Sequence, residues 1–96
     1  AVMGVKRYAA TTPNSDAARS AYQRGRRART ATEARRHYEE SARLDPTRPE
    51  PWNALGLNAI HRGEPGAAEA HWLRALAEDP DYYPARHNLA RYRTRP

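Results

Sequence analysis

Residues 49–82 read PEPWNALGLNAIHRGEPGAAEAHWLRALAEDPDY. Trp52, Leu55, Gly56 and Ala59 recur at steps of 3, 1 and 3, which puts them on one face of a helix. Ala68, Trp72, Ala75 and Leu76 form one face of a second helix. Gly63 is suited to end the first helix in the left-handed conformation, and Pro65 is tolerated in the first turn of the next. Pro80 stops the second, because the residue before a proline avoids the helical region. Small residues at 56, 68 and 75 let the two helices approach closely, and each tryptophan fills the space a small partner leaves. The stretch therefore predicts a helical hairpin.

Outward from this hairpin the pattern repeats. An offset of 34 superposes Ala34 on Ala68, Asp45-Pro46 on Asp79-Pro80, Leu55 on Leu89 and Tyr38 on Trp72. Ser41 pairs with Ala75, Ala42 with Leu76 and Gly56 with Ala90, so small residues match small ones at helical spacing. Ser15 or Asn14 can cap a helix starting near Asp16. Thr30 with Glu33, and Thr47 with Glu50, form capping-box patterns before the next two helices. Asp81 can cap a last helix over about residues 82–93. Short connections between such helices imply antiparallel pairs. Residues 1–14 read as an arm or linker, in which Val2, Val5 and Tyr8 suit a short extended segment. Residues 15–96 read as one helical domain: an atypical first unit at 15–48, a clear unit at 49–82 and a capping helix at 83–96.

At these residues the chain resembles the tetratricopeptide repeat, a helix–turn–helix of 34 residues. Trp52, Leu55, Gly56, Ala68, Trp72, Ala75 and Pro80 stand at the family's signature positions, and Ala59 replaces its usual aromatic. In the preceding unit Ala34, Tyr38, Ser41, Leu44 and Pro46 fit the second helix. Its first helix departs from the pattern. The ungapped register puts Ala18, Ala21, Tyr22 and Gly25 at the packing positions, whereas a three-residue deletion would put Arg24 at the leucine position; the ungapped one buries no arginine. The resemblance implies an all-α fold, a short right-handed superhelix of antiparallel helix pairs. It also implies a concave groove lined by the first helices, which binds a peptide or partner protein. By motif position that face takes Arg19, Gln23, Arg26, Arg27, Asn53, Leu57, Ile60, His61, His87 and Arg91. Leu57 and Ile60 lie off the Trp52/Leu55/Gly56 face; ordinary packing against a neighbouring first helix is the alternative use for them. The Lys, Asn and Arg set with which one subclass clamps a C-terminal carboxylate is hardly present: Asn88 holds an asparagine position, and Arg19 and Gln23 are loose analogues.

Composition narrows the function classes. Of 96 residues, 19 are Ala, while Leu, Ile and Val together number nine and Phe is absent. That is too little bulky apolar surface for a thick sandwich or a doubly wound sheet with its own cleft. No apolar run reaches the roughly 18–20 residues of a membrane span. Cysteine is absent, which excludes disulfides, thiolate metal sites and a cysteine nucleophile. The profile is that of a soluble chain, cytoplasmic or periplasmic if bacterial. Frequent Ala, Arg, Pro and Gly with a single Lys suits a GC-rich, bacterial genome. Ala1 as first residue, with no signal-peptide pattern, reads as a processed chain or one part of a larger protein.

The net charge of +6 sits entirely in residues 1–32, with seven basic residues against Asp16; residues 33–96 balance ten Arg with ten acids. Arg24, Arg26, Arg27 and Arg29 could serve an anionic surface or nucleic acid. The run has no interleaved aromatics for base stacking, and arginines near a helix C-terminus suit the macrodipole, so nucleic acid is the weaker reading. His37, His61, His71 and His87 have no metal-ligand spacing and are expected near solvent, and Glu39-Glu40 diverge by about 100° on a helix. No cofactor, metal or catalytic residue is expected. The chain reads as a scaffold or adaptor module binding a protein or peptide with acidic and apolar residues. The anionic-surface binder and the accessory domain of an enzyme are its alternatives. Two repeats and a cap are a short array, so self-association through the arm or the open ends is a further expectation.

Overall fold

A computed structural model describes residues 13–93. Of the arm expected at residues 1–14, residues 1–12 lie outside the described residues, and Pro13 and Asn14 belong to the first helix instead. Five helices follow in order: α1 Pro13–Arg27, α2 Ala31–Leu44, α3 Pro49–His61, α4 Pro65–Glu78 and α5 Tyr83–Arg93. The described chain is all-α. Helices α1 and α2 pack as one antiparallel pair, α3 and α4 as a second, and α5 closes against α4.

The 34-residue offset is written in the backbone. Helices α1 and α3 end at Arg27 and His61, α2 and α4 start at Ala31 and Pro65, and they end at Leu44 and Glu78. The turn after each hairpin is the same object twice. Asp45 and Asp79 each donate a backbone N–H to the carbonyl four residues back, on Ser41 and Ala75, at 3.1 and 3.0 Å. Each aspartate Oδ1 then accepts the N–H two residues on, from Thr47 at 3.2 Å and Asp81 at 3.1 Å. That is an Asx-turn, the local hydrogen bond for which aspartate is favoured in turns. The proline between bars the helix from continuing.

Caps differ from the sequence expectation at four places. Helix α1 begins at Pro13, so Asn14 and Ser15 lie within its first turn, and Ser15 is buried. Proline at the first helical position has no N–H to leave unpaired. Thr30 does cap α2, its Oγ1 accepting from Glu33 N–H at 3.1 Å; the Glu33 carboxylate reaches back to Arg29 N–H rather than to Thr30. Thr47 does not cap α3. Its hydroxyl donates to Asp45 Oδ1 at 2.6 Å, and α3 starts at Pro49 behind Arg48 with no side-chain cap. Pro49 and Pro51 remove two of the N–H groups a cap would serve. Helix α5 starts at Tyr83, so the residue before it is Tyr82 and not Asp81. Gly63 ends α3 with φ +78°, Gly63 N–H bonding Ile60 O and Glu64 N–H bonding Ala59 O. This is the Schellman arrangement for which a left-handed glycine is needed.

The cores are built from small residues against single rings. In the first hairpin Ala18, Ala21 and Gly25 of α1 are buried with Ser41 and Ala42 of α2. Ser41 Oγ donates to Ala18 O at 2.7 Å, which satisfies a hydroxyl in a dry contact. In the second hairpin Ala59, Ala68, Trp72 and Ala75 form one buried cluster with Ala85 and Leu89 of α5. Trp72 lies over Gly56 and donates Nε1–H to Asn53 O at 3.2 Å. A Cβ on Gly56 would stand 2.2 Å from that nitrogen. In the 34-residue register Tyr22 takes the place of Gly56. The Tyr38 ring accordingly lies over Gly25, three residues further on, with the Tyr22 ring beside it at 5.7 Å.

Candidate functional site

The two hairpins meet at the start of α2 and the middle of α3. Asn58, which is buried, donates Nδ2–H to Ala31 O at 2.9 Å, and its Oδ1 accepts from Arg62 Nε at 2.8 Å. Beside this joint the hairpins diverge and leave a cleft of about 420 Å³. Its walls come from the end of α1 (Tyr22, Arg26), the connection at Ala28–Thr30, the first turns of α2 and the exposed side of α3. Tyr38 supplies an aromatic wall with Tyr22, and Asn53, Leu57 and His61 line the α3 side. Burial raises the Tyr38 hydroxyl above its ordinary value, reinforced by Tyr22 and opposed by Arg26, so it stays a neutral donor at physiological pH.

The chemistry of the cleft is one-sided. No Asp or Glu lines it, whereas Arg26 and Arg29 do. Neither arginine makes an ion pair with another described residue. Leu57 is 37% exposed, a large apolar side chain facing solvent. Asn53 Oδ1 is occupied by Asn88 Nδ2 at 3.0 Å, a bond that ties α3 to α5 and makes Asn53 partly structural.

Of the residues assigned to the concave face, Arg26, Asn53, Leu57 and His61 come together here. Ile60 does not. It packs against the cluster of Trp72 and Leu89, because it faces the α4/α5 side of α3. Arg19, Gln23 and Arg27 lie on α1 outside the lining, the first and last exposed. His87 and Arg91 sit on α5 and do not line the cleft. There His87 stacks on Tyr83 at 5.7 Å and the Arg91 guanidinium lies 5.6 Å from the Tyr92 ring centre. Tyr22, Tyr38 and Asn58 enter the site without having been assigned to it. The 34-residue offset gave Tyr22 and Tyr38 packing roles, and only the divergence of the hairpins leaves their edges open.

A second groove, of about 370 Å³, lies between α2 and α4, where Ala42, Pro46, Trp52 and Leu55 meet Glu39, Arg43, His71 and Arg74. Trp52, expected on the buried face, is half-exposed here. Its Nε1–H donates to Pro46 O at 3.0 Å, and the Arg74 guanidinium lies 4.6 Å from its ring centre. His71, expected near solvent, is half-buried and stacked on Trp52 at 6.2 Å. Burial holds its imidazole below the ordinary value, with Arg62 adding to the effect.

Among the described residues no group of three or more His, Asp or Glu side chains could hold a metal ion. No described helix is long and apolar enough to cross a membrane. Protein-family models, curated proteins and solved structures yield no match to the chain.

Proposed function

We propose that the chain is a tetratricopeptide-like interaction module that holds a segment of a partner protein in the cleft between its two hairpins. The observation that carries this reading is the lining of that cleft. Exposed Leu57 and the edges of Tyr22 and Tyr38 offer apolar contact, while Arg26 and Arg29 offer charge with no carboxylate among the lining residues. An extended or helical segment with apolar anchors and acidic neighbours complements such a surface. The reading assigns binding and no catalysis, and it suits a scaffold or adaptor role within a larger bacterial protein or complex.

Capture by the immobilised domain tests it. Leu57→Glu combined with Arg26→Glu should reduce the recovery of a specific partner by about tenfold or more, since each tenfold corresponds to only about 1.4 kcal/mol. The melting temperature should hold, because both residues are exposed. Undiminished capture by the folded double variant would refute the cleft as the site.

One observation favours a second reading. Tyr38, from the middle of α2, stands with Tyr22 beside Arg26 and Arg29 in the cleft. An anionic polymer with stackable groups would use that combination. A salt titration separates the two readings, because nucleic-acid affinity falls with a log–log slope of about −0.7 per phosphate on single strands. A shallow slope with a tight protein partner rejects the second reading.

A further inference from the structure

The polar side chains that line the cleft between the hairpins divide into engaged and unengaged groups. Thr30 Oγ1 accepts from Glu33 N–H at 3.1 Å, Asn53 Oδ1 from Asn88 Nδ2 at 3.0 Å and Asn58 Oδ1 from Arg62 Nε at 2.8 Å, so each of these oxygens already serves the fold. No carboxylate is among the lining residues. The unengaged groups are rich in donors. The Arg26 and Arg29 guanidiniums, both exposed, make no ion pair with another described residue. Glu33 stands near, but its carboxylate accepts from the Arg29 backbone N–H at 3.4 Å and not from the side chain. His61 and the hydroxyls of Tyr22 and Tyr38 are further lining groups able to donate. A guanidinium can only donate, so what these two arginines lack is an acceptor.

The same cleft has an aromatic and apolar half. The Tyr22 and Tyr38 rings lie 5.7 Å apart and are tilted by 43°, and Leu57 lines the α3 side. Arg26 stands close enough to Tyr38 for its charge to act on that hydroxyl, so cation and aromatic wall adjoin. A ring that ends in an oxyanion matches both halves at once. A carboxylate brings one charge and two oxygens, which a single guanidinium fork satisfies. A phosphate monoester brings about −1.5 to −2 charge and three acceptor oxygens, enough for both arginines. Phosphoserine carries that group on a short stem with no apolar body. Phosphotyrosine carries it at the far edge of a ring, which can pack on aromatic edges and under a guanidinium.

We propose that the anionic residue held in the cleft is a phosphotyrosine of the partner polypeptide, with its ring against Tyr22, Tyr38 and Leu57 and its phosphate between Arg26 and Arg29. The inference rests on the reading of the cleft as a partner-binding site and narrows what the partner carries. It also makes capture conditional on phosphorylation, because an unmodified tyrosine leaves both arginines without an anion. A nucleotide likewise joins a ring to a phosphate. The edges of adenine, guanine and cytosine, however, carry N–H donors. The oxygens of Thr30, Asn53 and Asn58 that would accept them are engaged.

The probe is a short, otherwise uncharged peptide with leucines around one central residue. It is made with phosphotyrosine, tyrosine, phosphoserine or glutamate at that place. Fluorescence anisotropy against the 96-residue chain should find the phosphotyrosine version tightest, by about tenfold over tyrosine and over glutamate, with phosphoserine between. Arg26→Gln and Arg29→Gln, at exposed positions, should each weaken the phosphotyrosine peptide by about tenfold and leave the tyrosine peptide and the melting temperature unchanged. Phenyl phosphate should displace the peptide at a lower concentration than inorganic phosphate does. Phosphotyrosine binding no better than tyrosine, glutamate or phosphoserine overturns the proposal, as does indifference to both arginine substitutions. Adenosine monophosphate displacing the peptide at a lower concentration than phenyl phosphate would make the site one for nucleotides and also overturn it. The broader reading fails separately. Partner capture that is lost with Leu57→Glu and Arg26→Glu, beside equal binding of the phosphotyrosine and glutamate peptides, keeps the cleft as the site and refutes phosphotyrosine alone. Undiminished capture by that double variant refutes both.

Discussion

Replacing Gly56 with alanine adds one methyl group where the second hairpin has no room for it. The new Cβ would lie 2.2 Å from Nε1, 2.5 Å from Cε2 and 2.6 Å from Cδ1 of Trp72. Trp72 is 1% exposed and stacked on Tyr92 at 5.4 Å, so its ring cannot swing into solvent. Relief requires the indole to move by an ångström or more, which gives up the Nε1–H bond to Asn53 O. Overpacking of this kind costs about 1–3 kcal/mol, and the lost hydrogen bond about 1 kcal/mol. Against this, alanine is better than glycine inside a helix by about 1 kcal/mol. The net expectation is a loss of about 1–3 kcal/mol, or about 5–20 °C in melting temperature for a domain this size. Thermal unfolding followed by circular dichroism reads it. Gly66→Ala is the control: that glycine is also helical, but nothing lies within 4 Å of its added Cβ, so the same substitution should be neutral or stabilising by up to about 1 kcal/mol. Combining Gly56→Ala with Trp72→Leu should cost less than the sum of the two, since both act through one contact. A Gly56→Ala protein that melts at or above the parent temperature would refute the close approach of α3 to α4.

Other expected outcomes follow from the caps and the titrating groups. Thr30→Ala removes the side-chain acceptor that caps α2 and should cost about 0.5–2 kcal/mol, read by denaturant unfolding. For His71, burial and then Arg62 hold the folded imidazole below its ordinary value of 6.5, so folding favours the neutral ring. Its contribution is whole above pH 6.5 and is lost as the pH falls from there through the lower folded value; His71→Gln should flatten this acid limb of the stability profile. For Tyr82, burial and then the Glu50 carboxylate raise the hydroxyl from 10.0 to about 12. Its contribution is whole below pH 10 and is lost between pH 10 and about 12; Tyr82→Phe should remove the last phenolate step in an absorbance titration.

The features legible in the chain are those with local causes. The Asp-Pro turns at 45 and 79 needed only an aspartate acceptor and a proline, and the end of α3 needed only a glycine at 63. The helix periods followed from alanine and aromatic spacing. The features that were not legible depend on competition or on three-dimensional divergence. Thr47 had two partners in reach and took Asp45, because two prolines left α3 little to cap. Leu57 and Ile60 both lie off the Trp52 face. The direction of α5 buries Ile60 against Trp72 and leaves Leu57 in the cleft. Arg19, Gln23, Arg27, His87 and Arg91 share the concave aspect with the cleft by repeat position. The cleft opens only where the hairpins part, next to the connection at 28–30, and a periodic pattern holds no record of that divergence.

The central claim is that two hairpins in a 34-residue register pack around single rings and leave a cleft where they part. The nuclear Overhauser spectrum of the 96-residue chain tests it most directly, through the α-protons of two glycines. Strong cross-peaks are expected from Gly56 Hα to the Trp72 indole and from Gly25 Hα to the Tyr38 ring, with both α-protons shifted by the ring currents. Absence of either contact in the folded protein would contradict the register, and with it the placement of the cleft.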